Sequence, residues 1–170
     1  MQKITQIITK VLEIFLIILM AAIVIDVVWQ IFTRFILRDP SSYTEELAGF
    51  LLIWIGLLGA SYALHTKAHL GIDILTSKLE GTRRRLSIIS IYSLVVLFAL
   101  FILVIGGMRL VNITFTLAQI SPAMGIPMGY VYIVLPLTGI LMIYYSIMFM
   151  INATGDLPES TGQVEIKSVD

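Results

Sequence analysis

The chain has 170 residues, 58% hydrophobic and 13% charged, with 11 basic and 11 acidic side chains and no cysteine. Soluble domains carry about 25% charged residues, so with a mean hydropathy of +0.98 this chain has too few charges to coat a water-facing surface and the bilayer must be its main solvent. The balanced charge suggests no nucleic-acid partner, and without thiols neither disulfides nor thiolate metal sites can form.

A membrane-spanning helix needs about 20 apolar residues, and four stretches satisfy this: 11–35, 43–64, 86–110 and 128–151. None has the shorter alternating pattern of a barrel strand. The sequence therefore predicts an all-α membrane domain over residues 1–151 with four transmembrane helices. A flexible tail follows over 152–170, where Gly155, Pro158, Gly162 and scattered charges offer no core. No internal repeat is visible, which argues against an inverted-repeat transporter complete in one chain.

The first span is long for a signal sequence and lacks a small-x-small cleavage site after it, so it reads as a retained helix. Asp26, Gln30, Thr33 and Arg34 form a polar stripe along it at helical spacing. Placing an Asp at mid-membrane costs about 2.5–3.5 kcal/mol, so this stripe should not face lipid. It fits either a coupling-ion or proton site or a polar seam against another helix or subunit. The lack of a second membrane-embedded acid favours the seam. Trp29, Phe32, Phe35 and Tyr43 fit an aromatic belt at the outer interface.

The connection 36–42 is so short that the first two helices must be antiparallel neighbours, and Pro40 should stop the first. Ser42 followed by Glu45 fits a capping box opening the second. An ion pair from Arg34 to Glu45 or Glu46 would fix the hairpin. Capping accounts for Glu45 but leaves Glu46 without a role, so a partner contact is open to it. Along the second span Gly49, Gly56 and Ala63 recur every seven residues, and Gly56–Ala60 and Gly59–Ala63 add small-xxx-small pairs, which predicts close packing within the chain.

His65 and His69 stand four apart near the inner end of that span, with Asp73 four further on and able to orient the His69 ring. A third metal ligand is missing, so structure or partner contact is favoured. Over 65–85, Leu70, Ile74 and Leu75 fall on one side of a turn, which permits a short interfacial helix between helices two and three. Gly81 and Thr82 read as a break and a cap. Arg83, Arg84 and Arg85 oppose the dipole of the third helix and should instead meet anionic lipid headgroups, at about 1 kcal/mol each.

The third connection, 112–127, is uncharged and punctuated by Pro122, Gly125 and Pro127. The third helix can run past Arg109 before that break. Pro136 should kink the fourth helix, with a neighbour covering the freed carbonyl. Eight basic residues (Lys3, Lys10, Lys67, Lys78, Arg83, Arg84, Arg85, Lys167) fall on one side against three (Arg34, Arg38, Arg109) on the other. The positive-inside rule then places both ends in the cytoplasm. No nucleophile–base pair or phosphate-cradling loop points to an enzyme.

Arg34-Phe35 closing the first helix, Glu45-Glu46 opening the second, Trp54 and Gly59 within it, His69 with Asp73 in HLGID, and the outer segment Ser121 to Pro136 together carry a resemblance. In this order on four helices, the chain resembles the small, Q-type membrane subunit of tripartite ATP-independent periplasmic (TRAP) transporters, the DctQ-like family. The resemblance covers nearly the whole chain. It implies a multi-pass protein of the bacterial inner membrane that supports a large TRAP membrane subunit. That subunit would import an organic acid, such as sialic acid or a C4-dicarboxylate, delivered by a periplasmic substrate-binding protein. Sodium coupling is expected in the large subunit, and no cofactor here. Asp26, Gln30, Arg34, Glu45, Glu46, Trp54, His69 and Asp73 are the expected partner or helix-seam residues. Two other functions stay open on the residues alone: a self-sufficient proton-coupled exporter using Asp26, and a membrane anchor of a redox complex.

Overall fold

The computed structural model describes residues 2–39, 41–66 and 81–154. Helix α1 (Gln2–Phe32) continues as a π-helical segment, Thr33–Leu37, and α2 covers Ser42–His65. Helix α3 (Gly81–Phe98) passes through a second π-helical segment, Ala99–Gly106, into α4 (Gly107–Thr116). The last span consists of α5 (Met128–Tyr132) and α6 (Val134–Thr154). Four helical spans are long and apolar enough to cross a membrane: Thr5–Leu37, Ser42–His65, Leu86–Thr116 and Met128–Ile151. All-helical spans are what the bilayer demands, because only a helix or closed barrel satisfies its own backbone polar groups in hydrocarbon.

The spans pack in the order one, two, four, three. Span one lies against span two, and span four lies between two and three. Span four is the most buried and span one the least. The core draws Leu12, Leu58, Leu64, Tyr92, Val134 and Tyr145 from all four spans. It is weighted toward the end that carries the N-terminus, with the hairpin between spans one and two at the far end.

Helix three runs on past Arg109, as far as Thr116. Pro136 breaks span four at Ile133, between α5 and α6. A proline has no N–H for the carbonyl four residues back, here Tyr132, and crowds it. Span two reaches the residue before it: the Trp54 indole N–H donates to the Val131 carbonyl at 3.1 Å.

Two expectations about span two are corrected. Ser42 is the first helical residue and not the cap. Ser41 holds the cap position with ψ 104° and makes no side-chain cap bond, so the Ser42–Glu45 box does not form. A capping side chain must sit on a residue of non-helical backbone. Thr44 instead donates its hydroxyl to the Ser41 carbonyl at 2.9 Å. The glycines of span two also do not pack within the chain, since a Cβ added at Gly49, Gly56 or Gly59 would meet nothing within 4 Å.

The close approaches are between spans three and four. A Cβ on Gly107 would lie 2.8 Å from Leu135 Cβ and 3.0 Å from Pro136 Cδ, and one on Gly139 would lie 2.7 Å from Val104 Cγ2. The backbone of span three is therefore pressed onto the proline break. Pro40, the segment holding Leu70, Ile74 and Leu75, and the tail beyond Thr154 lie outside the described residues, while 152–154, expected in the flexible tail, continue the last helix.

Candidate functional site

The far end is built around the loop between spans three and four. Helix α4 ends in a Schellman pattern, with Gln119 N–H donating to the Thr114 carbonyl at 3.1 Å and Ala118 N–H to that of Phe115 at 3.0 Å. Ala118 takes the left-handed conformation, φ 48°, that glycine usually supplies. Gln119 and Met128 are then drawn together by a 2.9 Å bond from Met128 N–H, and Ser121 N–H donates to Ile126 at 2.9 Å. Gly125, at φ 67°, closes the turn by donating to Ser121 at 2.9 Å.

Glu46 completes this loop. Its Oε2 accepts the backbone N–H groups of Ala123 and Met124, both at 3.0 Å. Ser121 Oγ accepts the Met124 N–H as well, at 3.2 Å. Pro122 cannot donate, so a carboxylate reaching from the second turn of α2 satisfies the two amides that follow it. This gives Glu46 a role inside the chain, where sequence reasoning had found none and had left a partner contact open. The residues it joins are 77 and 78 positions away.

The polar stripe of span one divides. Asp26 and Thr33 are buried at 7% and 5% exposure, and Gln30 is half-buried while Arg34 is exposed. Thr33 donates its hydroxyl to the Gln30 carbonyl at 3.0 Å. Asp26 Oδ2 is buried with no hydrogen-bond partner. The hairpin ion pair is not formed: Arg34 and Glu45 are both exposed, and no bond joins Arg34 to Glu45 or Glu46 among the described residues. An exposed pair contributes only about 0–1 kcal/mol, so nothing compels it.

Trp54 links three spans, since its ring also meets Phe15 edge-on at 6.1 Å. His65, half-buried, lies 4.7 Å from the Tyr145 ring and 6.2 Å from that of Phe149. Among the described residues no three His, Cys, Asp or Glu side chains gather to hold a metal. His69 and Asp73 lie outside the described residues. Arg83, Arg84 and Arg85 open α3, but their side chains lie outside the described part.

The sequence reading missed the ties at the N-terminal end. Thr5 shares a 2.9 Å hydrogen bond with the Tyr144 hydroxyl, and Thr9 a 3.2 Å bond with that of Tyr145. Ser61 donates to the Thr138 carbonyl at 3.3 Å. A signal was present: Thr5 and Thr9 are one helical turn apart, and two adjacent tyrosines sit inside a mostly apolar span. The arrangement can hold four helices in register and present a rigid apolar loop.

Comparison with known proteins gives this architecture its relatives. Residues 23–155 match the family described as tripartite ATP-independent periplasmic transporters, DctQ component. The chain is 29% identical over 154 residues to the sialic acid TRAP transporter small permease protein SiaQ of Vibrio cholerae, covering 89% of this chain and 86% of the relative. It is 30% identical over 118 residues to the C4-dicarboxylate TRAP transporter small permease protein DctQ of Rhodobacter capsulatus, covering 68% of this chain and 52% of the relative. It is 29% identical over 116 residues to the sialic acid TRAP transporter permease protein SiaT of Haemophilus influenzae, covering 68% of this chain but 18% of that much longer relative.

Proposed function

The chain belongs to the DctQ family of tripartite ATP-independent periplasmic transporter components and is a small, multi-pass permease subunit of the inner membrane; from that premise we propose that it braces a large permease which imports an organic acid handed over by a periplasmic binding protein. In this reading both chain ends are cytoplasmic and the Glu46-tied loop faces the periplasm. The driving sodium ions bind in the large subunit. Relatives named for sialic acid and for C4-dicarboxylates make a carboxylate the expected cargo. SiaT, of which the matched stretch is 18%, is a precedent for such a unit joined to a larger permease.

The observation that supports a bracing role is that Asp26 is the only ionisable carboxylate or base buried among the described residues. A solute or ion path through a membrane is lined by a succession of polar and ionisable groups, and a single buried acid is not one. The exporter and redox-anchor alternatives belong to other classes than the relatives.

Deletion of this chain from a host that keeps the large permease and binding protein tests the proposal. Uptake of the radiolabelled organic acid should fall to background and return when the chain is supplied on a plasmid. Uptake that continues at the wild-type rate without the chain would overturn it. Removing the sodium gradient in vesicles containing the whole system should abolish uptake as well.

A further inference from the structure

Between Leu86 and Thr154 the chain carries a single charged side chain, Arg109. It stands inside the membrane-spanning segment Leu86–Thr116 and is exposed. Gly107, Val111 and Thr114 are the buried residues of α4. Arg109, Asn112 and Thr116, at i, i+3 and i+7, lie on the opposite face, and all three are exposed. The Thr116 hydroxyl donates to the Asn112 carbonyl at 2.8 Å. No hydrogen bond or ion pair joins the side chain of Arg109 or Asn112 to another described residue. Ionisable groups in membrane helices normally turn inward to a partner. This one turns outward, among the exposed apolar side chains of Ile105, Met108 and Ile113.

Its depth follows from the packing of spans three and four. Gly107 lies against Leu135 and Pro136, and span four begins at Met128. Arg109 is two residues nearer that end than Gly107, so at about 1.5 Å per residue its Cα sits roughly 7–8 Å inside the loop end of the bundle. The apolar stem of an arginine crosses such a depth and carries the guanidinium to the headgroups. A second observation marks the same boundary. The rings of Phe115 and Tyr130 meet edge-on at 5.3 Å, and both are exposed. An exposed tyrosine at the end of a span is characteristic of the membrane–water interface.

We propose that Arg109 and Asn112 bind the phosphate of a phospholipid in the leaflet at the loop end of the bundle. The guanidinium offers parallel N–H donors that match two phosphate oxygens. The Asn112 amide, one turn nearer the headgroups, offers another donor. Ile105 and Met108, on the side away from the headgroups, present an apolar surface to the acyl chains. Charge complementarity selects this occupant: the face carries one cation and no acid, and a bilayer presents phosphate at the level the guanidinium reaches. The proposal rests on the membrane placement of the helices and not on the bracing role.

The full chain, delipidated in detergent and titrated with phosphatidylglycerol, is read by native mass spectrometry. Arg83, Arg84 and Arg85 are expected to hold headgroups at the other end, so each variant is also made with these three replaced by glutamine. In that background the chain with Arg109 should retain one phosphatidylglycerol, and Arg109→Leu should weaken its retention about tenfold or more. Arg109→Lys keeps the charge without the planar fork, Asn112→Ala keeps the fork, and both should fall between. Without lipid the thermal midpoint of Arg109→Leu should match wild type, since no contact within the chain is lost. Added phosphatidylglycerol should raise the wild-type midpoint by more than that of the variant.

Equal retention and an equal lipid-dependent rise in midpoint for wild type and Arg109→Leu overturn the proposal. So does unchanged retention of lipid with a large loss of co-expressed permease from Arg109→Leu, which would assign the guanidinium to a carboxylate on that protein. Failure of the wild-type chain to recover any large permease would defeat the bracing role alone.

Discussion

The two ends of the bundle are held together by different means. At the N-terminal end side chain meets side chain across all four spans. Thr5 and Thr9 bond the hydroxyls of Tyr144 and Tyr145, Tyr145 also packs on His65, and Tyr92 stacks on Phe149 at 5.2 Å. At the far end side chain meets backbone: Glu46 holds Ala123 and Met124, and Trp54 holds Val131. The first end closes on itself. The second shapes a loop and leaves Asp26 Oδ2 without a hydrogen-bond partner among the described residues and the Gly49 and Gly56 positions of span two open. Stability of the isolated chain therefore concentrates at the N-terminal end, and features that suit assembly concentrate at the other.

The strongest way to break this contrast is to remove the centre of the closed end. Tyr145 is fully buried, and Tyr145→Ala should lower unfolding stability by about 3–5 kcal/mol, the range for truncating a buried aromatic. Thermal unfolding in detergent checks it, and a loss below about 1 kcal/mol would mean that the N-terminal end is not the stable one. Next comes the tight contact of spans three and four. Gly139→Leu forces a side chain into Val104 and Leu103 and should cost about 1–3 kcal/mol as overpacking. Gly56→Leu, at an open position, should leave the midpoint of the isolated chain unchanged; equal damage from both would erase the distinction between closed and open glycines.

Glu46→Ala sharpens the far end more locally. The amides of Ala123 and Met124 lose their acceptor, so hydrogen exchange and proteolysis in the 120–127 loop should accelerate, with little change at Tyr145. Glu46→Gln keeps a neutral acceptor and should fall between wild type and Glu46→Ala. Exchange rates in the loop indifferent to both would remove Glu46 from its structural role. The smallest effect is expected at Ala118, whose φ of 48° strains a residue bearing a Cβ. Ala118→Gly should stabilise the chain by up to about 1 kcal/mol, visible as a slightly higher midpoint.

Some of the candidate site could be read from residues alone. A buried acid in span one was legible because an aspartate is expensive in lipid wherever it is placed, and Pro136 announced a break because proline lacks a donor in every context. The role of Glu46 was not legible, since the amides it satisfies lie 77 and 78 residues away and local spacing carries no trace of them. The seven-residue glycine pattern of span two misled for a related reason. It marks a surface capable of close approach, but the helices that approach closely are spans three and four, through Gly107 and Gly139.

The sequence by itself determined that there are four spans, that the first two form a tight antiparallel hairpin and that the fourth is broken. These follow from transfer free energies and backbone chemistry summed over neighbouring residues, which no distant contact can reverse. Only the tertiary structure decided how each helix is rotated about its axis. That rotation sets which glycines are pressed against a neighbour, which carboxylate finds donors and which is left without one. In a bilayer the hydrophobic effect does not distinguish one apolar helix face from another. Rotation is settled instead by close packing and a few hydrogen bonds between residues far apart in the chain.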